Sequence, residues 1–318
     1  MLSGHAEAIY WLGRYVERAE DGARLANVHA NLLLDLPRRY ALGWAPLIAI
    51  TGTSTLFAEL YREPSERNVV RFLVADEKNP GSILSSLNAA RYNARLLRDL
   101  LPREAFEALN VLWLRARQEA AGAVAKTRRF EFLETVILGA QQLYGTLAGT
   151  MSHGYPHDFL QLGLMIERAD MTTRIIDVRS ANLLGNGHPD TAPELAPFGT
   201  IQWMSVLRSL SALQMYRQTV RAPVSHADVL RFLLTDRLFP RSIHFCLDTM
   251  EATLRRLPRS ADRVREVRAM AQELDRVDFA ALDREALHRY TDELQVGIGR
   301  LHDGISSTYF LAPAPAAR

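Results

Sequence analysis

Gly13–Leu25, GRYVERAEDGARL, and Gly163–Ile175, GLMIERADMTTRI, are two versions of one sequence pattern. Eight of the thirteen aligned positions agree in identity or chemical type without a gap, including the run Glu-Arg-Ala followed by an acid. The two stretches lie 150 residues apart. We therefore predict an internal duplication of about 150 residues, with two similar helical halves.

Around both stretches, apolar or small residues alternate at spacings of four and three, which is the heptad pattern of helices that pack side by side. Many of these positions hold alanine or serine, so a partner helix can approach closely. We predict that the following residues form this seam: Leu12, Val16, Ala19, Ala23, Ala26, Ala30 and Leu33 in the first helix, and Leu162, Ile166, Ala169, Thr173, Ile176, Ser180 and Leu183 in the second.

The rest of the chain shows the same helical periodicity, with proline and glycine between the periodic segments and little strand-like alternation. The sequence therefore predicts an all-α fold, a multi-helix bundle that forms one domain over 1–318. Its pseudo-repeats are about 1–150 and 151–310, with a long loop at 187–199 and a frayed tail at 311–318. We predict helices at 3–36, 44–61, 65–76, 82–101, 103–125, 129–151, 157–184, 200–219, 226–236, 241–257, 260–276 and 281–310.

Composition excludes several classes of protein. The net charge is only +2 over 318 residues, and basic runs of the kind that bind nucleic acid are missing. The single cysteine, Cys246, excludes an intrachain disulfide and a cysteine-based zinc site, and its apolar surroundings favour a buried structural thiol. Early charged residues argue against a signal peptide, and the apolar stretch at 41–50 is too short to span a membrane. We expect a cytoplasmic protein that binds neither membrane nor nucleic acid.

Carboxylates and arginines lie beside the seam on both repeated helices. Glu17 and Glu20 share a face, and Arg24 follows Glu20 by four residues with the acid first, which is the favourable order for a helical ion pair. The second helix repeats this arrangement with Glu167, Asp170 and Arg174. Arg14 and Arg18 occupy the same turns of the first helix, and Arg168 follows Glu167.

Three interpretations of these residues stay open. They could form an ion-pair network that fixes helix register, with each exposed pair contributing about 0–1 kcal/mol. They could line a cavity between the two halves and bind a ligand that carries amine and carboxylate groups. Alternatively, Glu17, Glu20, Glu167 and Asp170 could act as acid–base residues or metal ligands, although di-iron bundles use Glu-x-x-His and neither motif contains histidine.

Other candidate sites are weaker. Arg91, Arg95 and Arg98 lie at i, i+4 and i+7, so they form a cationic helix face that is either solvated or a clamp for carboxylate or phosphate. His153 and His157 have metal-pair spacing only within one helix, and Pro156 favours a loop or a helix start instead. The sequence contains neither the glycine-rich motifs that bind nucleotides nor the glycine-flanked serine motif of hydrolases, so no cofactor is predicted.

Several short motifs, in order, make the sequence resemble the bacterial alpha-E family. Tyr10-Trp11-x-Gly13-Arg14-Tyr15-x-Glu17-Arg18-Ala19-Glu20 is similar to its opening signature. Further matches are Ala90-Arg91-x-Asn93-Ala94-Arg95, Glu107-x-x-Asn110, Phe159 to Asp170, and Phe239-Pro240-Arg241-Ser242. The resemblance covers nearly the whole chain. One departure is Tyr92, which stands where the family usually has glutamate.

The resemblance implies an all-helical protein that works beside a circularly permuted ATP-grasp protein, often with a transglutaminase-like protein nearby. It also implies that family motif positions bind a ligand, namely Arg14, Glu17, Arg18, Glu20, Arg91, Asn93, Arg95, Glu167, Arg168, Asp170 and Arg241, beside the paired Arg24 and Arg174. Our leading hypothesis is a helical partner of an ATP-grasp amide-forming ligase that binds an amino acid or a peptide. The alternatives are a stand-alone enzyme acting on amide bonds and a structural scaffold; the sequence leaves oligomerisation open.

Overall fold

The structure is a computed structural model that describes residues 2–35, 43–184 and 196–310, except for the side chains at 181–184 and 196–198. These residues form fourteen α-helices and no strand, which confirms the all-α prediction. The predicted tail at 311–318 lies outside the described residues. The helices are α1 (Ser3–Asp35), α2 (Ala45–Ile50), α3 (Ser54–Leu60), α4 (Glu66–Val74), α5 (Ile83–Leu96), α6 (Arg103–Ala123), α7 (Lys126–Thr150), α8 (Tyr155–Leu184), α9 (Ala196–Ser209), α10 (Leu213–Thr219), α11 (His226–Thr235), α12 (Ile243–Leu254), α13 (Ala261–Leu274) and α14 (Arg284–Tyr309).

Two predicted helices are wrong because each is interrupted by a residue with a left-handed backbone. The helix predicted at 44–61 is divided into α2 and α3 by Gly52, whose φ is +68°. The helix predicted at 200–219 is divided into α9 and α10 by Ser211, whose φ is 55°. Of the loop predicted at 187–199, residues 187–195 lie outside the described residues, whereas 196–199 belong to α9, which accommodates Pro197 in its first turn. The other ten predicted helices are found, with ends shifted by up to five residues.

The centre of the fold is the pair α1 and α8, which are the two helices with the repeated sequence. Hydrogen bonds between them join residues that are 149 to 153 positions apart, so the helices run side by side in the same direction and in register. The predicted seam is buried from Leu12 to Ala30 in α1 and from Leu162 to Ser180 in α8. The seam prediction is therefore confirmed over these two stretches.

Two glycines set the distance between these helices. A Cβ atom on Gly13 would lie 2.5 Å from the carbonyl oxygen of Leu160, and one on Gly163 would collide with the carbonyl of Tyr10. The backbones of α1 and α8 are therefore in direct contact at the level of these glycines, and only a residue without a Cβ fits there.

The remaining helices surround this pair in the same order in both halves. α1 packs against α5 and α7, and α8 packs against α12 and α14. α5 also packs on α6, as α12 packs on α13, while α2 and α9 each contact the central helix of the other half. The halves α1–α7 and α8–α14 thus contain seven helices each among the described residues, an arrangement that favours the duplication, which stays a prediction.

The two halves also contain a second pair of similar sequence stretches. Ser65–Ile83 and Ser225–Ile243 are identical at nine of nineteen positions, with a displacement of 160 residues. In both copies the first serine caps a short helix, an aspartate carboxylate accepts a backbone N–H in the turn, and the last serine caps the next helix. This turn places Gly81 beside α1 in one half and Arg241 beside α1 and α8 in the other.

Candidate functional site

The repeated Glu-Arg dipeptides meet at the α1/α8 interface and pair crosswise. Arg168 donates two hydrogen bonds to Glu17, from Nε to Oε1 at 2.8 Å and from Nη2 to Oε2 at 3.0 Å. Arg18 donates in the same way to Glu167, at 2.5 and 2.9 Å. Each arginine grips the carboxylate of the other helix in the bidentate geometry that gives the strongest pairs. We call these two interactions the crossed pairs.

Each crossed carboxylate also has a second arginine. Arg14 Nε donates to Glu167 Oε2 at 2.7 Å. On the other side, Arg241 Nη1 lies 2.8 Å from Glu17 Oε1. Arg241 reaches this position because Pro240 and Arg241 form the turn before α12, where the Arg241 carbonyl accepts a hydrogen bond from Thr172 in α8. From the turn before α12, Arg241 thus reaches a buried carboxylate of α1.

The crossed acids are ionised and enclosed. Burial alone would raise the pKa of Glu17, but Arg168 and Arg241 outweigh it and lower that pKa to about 2. Burial opposes ionisation of Glu167 as well, and Arg18 and Arg14 lower its pKa below the ordinary value. Side-chain exposure is 0% for Glu17 and 3% for Glu167. Acids that stay ionised at all neutral pH values are poorly suited to proton transfer.

Arg241 organises a further buried cluster on α1, which we call the Arg241 cluster: Glu17, Glu20, Asp21 and Arg241. Arg241 lies 3.2 Å from Glu20 and 2.6 Å from Asp21. Glu20 also pairs with Arg24, so the predicted i, i+4 pair is confirmed. The buried hydroxyl of Tyr144 in α7 lies close enough for the charges of Glu17 and Glu20 to act on it. Sequence analysis did not select Asp21 or Tyr144, because neither follows the repeated pattern.

Asp21 is the acid of the Arg241 cluster whose pKa rises. Burial raises it, Arg241 opposes the rise, and the charges of Glu17 and Glu20 add to it, which gives a pKa of about 8 against an ordinary 3.8. Its Oδ2 atom is buried and lacks a hydrogen-bond partner among the described residues. Asp21 is therefore protonated in the folded protein near neutral pH.

This shift predicts a pH-dependent stability. The folded state holds the Asp21 proton more tightly than the unfolded chain, so its contribution is complete below about pH 4 and is lost as pH rises through about 8. We expect Asp21→Asn, which cannot ionise, to gain stability relative to wild type over this interval and to run parallel to it above about pH 9. Urea unfolding across this range measures the difference, with the exposed Asp262→Asn as control. A constant difference between Asp21→Asn and wild type would contradict the assignment.

The remaining predicted acid lies apart from the crossed pairs. Asp170 accepts a hydrogen bond from Arg174 Nε at 2.9 Å, which confirms the second i, i+4 pair. Both side chains are partly exposed, and Arg174 lies against Gly52, the residue that divides α2 from α3. The four candidate catalytic acids are thus distributed over three settings: the Arg241 cluster, the Arg14/Arg18 pair with Glu167, and this outer pair.

The structure does not bring the α5 motif to the crossed pairs. Arg91 Nε donates to Asn110 Oδ1 at 2.7 Å and its guanidinium lies over the Trp113 ring at 4.2 Å. Asn93 is half-buried, whereas Arg95 is exposed and Tyr92 is 63% exposed. Their assignment to a ligand stays a prediction. Arg98 contacts Phe106, so Arg91, Arg95 and Arg98 do not converge on one ligand position.

Metal coordination finds little support in the geometry. Among residues 2–35, 43–184 and 196–310, no three His, Cys, Asp or Glu side chains are grouped so that they could hold an ion. His153 lies in the turn before α8 and stacks on His157, with ring centroids 4.0 Å apart. His157 is inside the first turn of α8, as predicted for a helix-start role. Cys246 is fully buried, which confirms its assignment as a structural thiol.

A buried histidine that sequence analysis missed also joins the central helices. His29 Nδ1 receives a hydrogen bond from Arg179 at 3.0 Å, and Nε2 lies 2.7 Å from the Gly43 carbonyl. Burial and the Arg179 charge lower the pKa of His29 to about 3, so its ring is neutral. His29 and Arg179 are 150 positions apart, the displacement of the repeat. A search for polar side chains separated by the displacement of the repeat would have found the contact between His29 and Arg179.

None of the described helices is both long enough and apolar enough to cross a membrane.

Comparison with known proteins finds relatives by sequence, whereas no solved structure matches significantly. Proteins from Mycobacterium bovis and Mycobacterium tuberculosis, described as uncharacterized, are 25% identical over 282 residues. The match covers 82% of this chain but only 30% of each relative, so the chain spans less than a third of their length.

A family model matches residues 1–310. Its description is a predicted alpha-helical domain with a conserved ER motif. This chain carries Glu-Arg at 17–18 and at 167–168, the dipeptides that form the crossed pairs. The helical fold and the order of the motifs agree with that description, and the chain belongs to the Alpha-E family.

Proposed function

We propose that this chain is the helical partner of an ATP-grasp-type amide ligase and that it binds an amino acid or a peptide without reacting with it. The observation that carries the proposal is the state of the crossed pairs. Glu17 and Glu167 are buried and held by two arginines each. Groups in that state fix the position of helices and are poorly suited to acid–base catalysis, which supports a partner role over a catalytic one.

The relatives support a role in a larger assembly. In the mycobacterial proteins the matching region is 30% of the length, so other sequence accompanies the helical domain there. A domain that is found within a longer chain commonly works with its neighbours. The resemblance to the alpha-E family supplies the nature of the proposed neighbour, an ATP-grasp protein with a transglutaminase-like protein nearby.

The alternative of a stand-alone amidase or transferase has less support. Its acid–base residues would be Glu17, Glu20, Glu167 or Asp170. The first and third are buried with lowered pKa values, and Glu20 is 2% exposed between Arg24 and Arg241. Asp170 is more accessible, at 21%, but is occupied by Arg174. A pure scaffold stays as the rival, since it also explains buried ion pairs.

Co-expression separates these functions. The full chain is produced with the ATP-grasp protein encoded nearest to it, and we expect both to elute together from size exclusion and ADP release to rise when the chain is added. The transglutaminase-like neighbour serves as a second bait. Separate elution and unchanged ADP release would refute the partnership.

A double variant tests catalysis in the same system. Glu17→Gln/Arg168→Gln removes one crossed pair as a unit and leaves no lone charge from that pair. If the chain acts by binding, variants that retain the wild-type melting temperature keep the stimulation of ADP release. If it is an enzyme that uses Glu17, stimulation is lost while the fold remains.

A further inference from the structure

A cleft opens next to the crossed pairs on the side of the first half. It has a volume of about 720 Å³ and lies between α1, the turn before α5, α5 itself and α6. Clefts of this size hold small-molecule ligands. The walls include two indoles, Trp11 and Trp113, and two guanidiniums, Arg18 and Arg117. Glu77 is the carboxylate of this cleft. We call it the α1/α5/α6 cleft.

The charges beneath the cleft do not cancel. Glu167 is a single carboxylate, yet it is held by both Arg14 and Arg18. Of these two arginines, Arg18 is the more exposed, at 25% against 11%, and it lines the cleft. Its Nε and Nη2 bind Glu167, whereas Nη1 has no hydrogen bond to the described residues. One unneutralised positive charge is therefore presented to the cleft.

Arg117 adds a second cation that is not engaged by an acid. Its guanidinium lies over the Trp113 ring at 5.3 Å, and none of the ion pairs among the described residues includes Arg117. Trp11 is held by stacking on Tyr15, with ring centroids 5.3 Å apart, and by the Arg14 guanidinium, which lies 4.7 Å from the centroid of its ring. The cleft thus combines held aromatic walls with two guanidiniums that retain binding capacity.

The second half shows what fills the equivalent space. A smaller cleft of about 380 Å³ lies there, and part of its lining falls at matching repeat positions, namely Gln161, Arg237, Phe245, Asp248 and Thr249. Phe245 stands where the first half has Ser85, and Arg237 stands where it has Glu77. Arg237 is paired with Asp275 at 3.0 Å. The second half thus fills part of this space with its own side chains, whereas the first leaves it open.

We propose that the α1/α5/α6 cleft binds the carboxylate end of an amino acid or a short peptide, with the carboxylate between Arg18 and Arg117 and the body against the indoles. Glu77 receives the free amino group when the ligand is small enough to present one. A carboxylate fits better than a polyphosphate, because the charges of Arg14, Arg18 and Arg117 exceed those of Glu167 and Glu77 by one, which a monoanion matches. This inference rests on the proposed function and specifies where its ligand lies.

The test uses tripeptide pools with free ends, with amidated carboxyl ends, or with acetylated amino ends, added to the full chain. Binding is measured by saturation-transfer NMR and by the fluorescence of Trp11 and Trp113, two of the four tryptophans. We expect the free-acid pool to bind and amidation to weaken binding at least about tenfold, since a charge-assisted hydrogen bond is lost.

Variants locate the site. Arg117→Gln is expected to weaken the free-acid pool about tenfold, whereas Arg115→Gln, two residues earlier on the same helix and exposed, leaves it unchanged. Ser85→Phe copies the residue of the second half and is expected to abolish binding while the melting temperature stays near wild type. Glu77→Gln weakens only peptides with a free amino end.

Three results would overturn the inference: no binding of the free-acid pool, equal binding of acid and amide pools, or equal effects of Arg117→Gln and Arg115→Gln. Displacement of the peptides by ATP at equal or lower concentration would identify a phosphate site and also overturn it. The proposed function fails separately. A chain that binds peptides but does not co-elute with the ATP-grasp protein loses the partnership and keeps the cleft, and the opposite result keeps only the partnership.

Discussion

Gly163→Ala is expected to destabilise the protein by about 3 kcal/mol or more, the upper end of the range for overpacking a core. The added methyl group would collide with the carbonyl of Tyr10, which is backbone and cannot rotate away. The helices α1 and α8 must then separate, and separation stretches both crossed pairs, whose hydrogen bonds are 2.5 to 3.0 Å long. The substitution therefore acts on packing and on buried charge together.

A matched glycine makes this prediction specific. Gly145 lies in the interior of α7 and is exposed, and a methyl group added to it would meet no atom of a neighbouring element within 4 Å. Gly145→Ala is expected to stabilise by up to about 1 kcal/mol through helix propensity alone. Urea unfolding followed by circular dichroism measures both variants. Effects of the same sign in the two variants would show that the backbone contact at Gly163 is not what limits the α1/α8 distance.

Most of the correct predictions came from sequence patterns within a single helix. The heptad seam identifies the buried faces of α1 and α8, because periodicity along one helix requires no knowledge of its neighbours. The pairs Glu20–Arg24 and Asp170–Arg174 follow from spacing in the same way. The breaks at Gly52 and Ser211 were missed, since an isolated glycine or serine in an apolar run is also compatible with a continuous helix.

Patterns within one helix do not predict which side chains of two different helices pair. Glu17 and Arg168 pair because α1 and α8 are parallel and in register, and the sequence pattern is equally compatible with an antiparallel pair. The stretch at 225–243 repeats 65–83 with a displacement of 160, so a comparison at the constant displacement of 150 does not detect it. The open α1/α5/α6 cleft depends on small side chains at positions such as Ser85, whose effect appears only once α5, α6 and α1 are assembled.

The Arg241 cluster differs from the α1/α5/α6 cleft, because in the cluster a side chain of the protein itself, Arg241, pairs with the acids. Arg241 lies within 2.6 to 3.2 Å of Glu17, Glu20 and Asp21. At the matching position of the first half, Gly81 contributes no charge. One half is thus closed by an arginine, and the other retains space next to Arg18.

Arg241→Met is expected to cost about 3–5 kcal/mol at neutral pH, the range for removing one partner of a buried ion pair. Methionine fills much of the same volume, so the loss comes from buried carboxylates that lose one of their cations rather than from a cavity. Arg237→Met, in the same segment between α11 and α12 as Arg241, is the control. Its side chain is 58% exposed and its ion pairs are at the surface, so its cost should stay below about 1 kcal/mol.

The pH dependence of the Arg241 variant identifies the cause. Arg241 helps to lower the pKa of Glu17, so without Arg241 this pKa rises and the folded state takes up a proton at a higher pH than the wild type does. The deficit of Arg241→Met should therefore shrink towards about pH 4 and grow as pH rises. Equal deficits at acidic and neutral pH would mean that Arg241 stabilises the fold by packing alone, and the Arg241 cluster would then lose its electrostatic role.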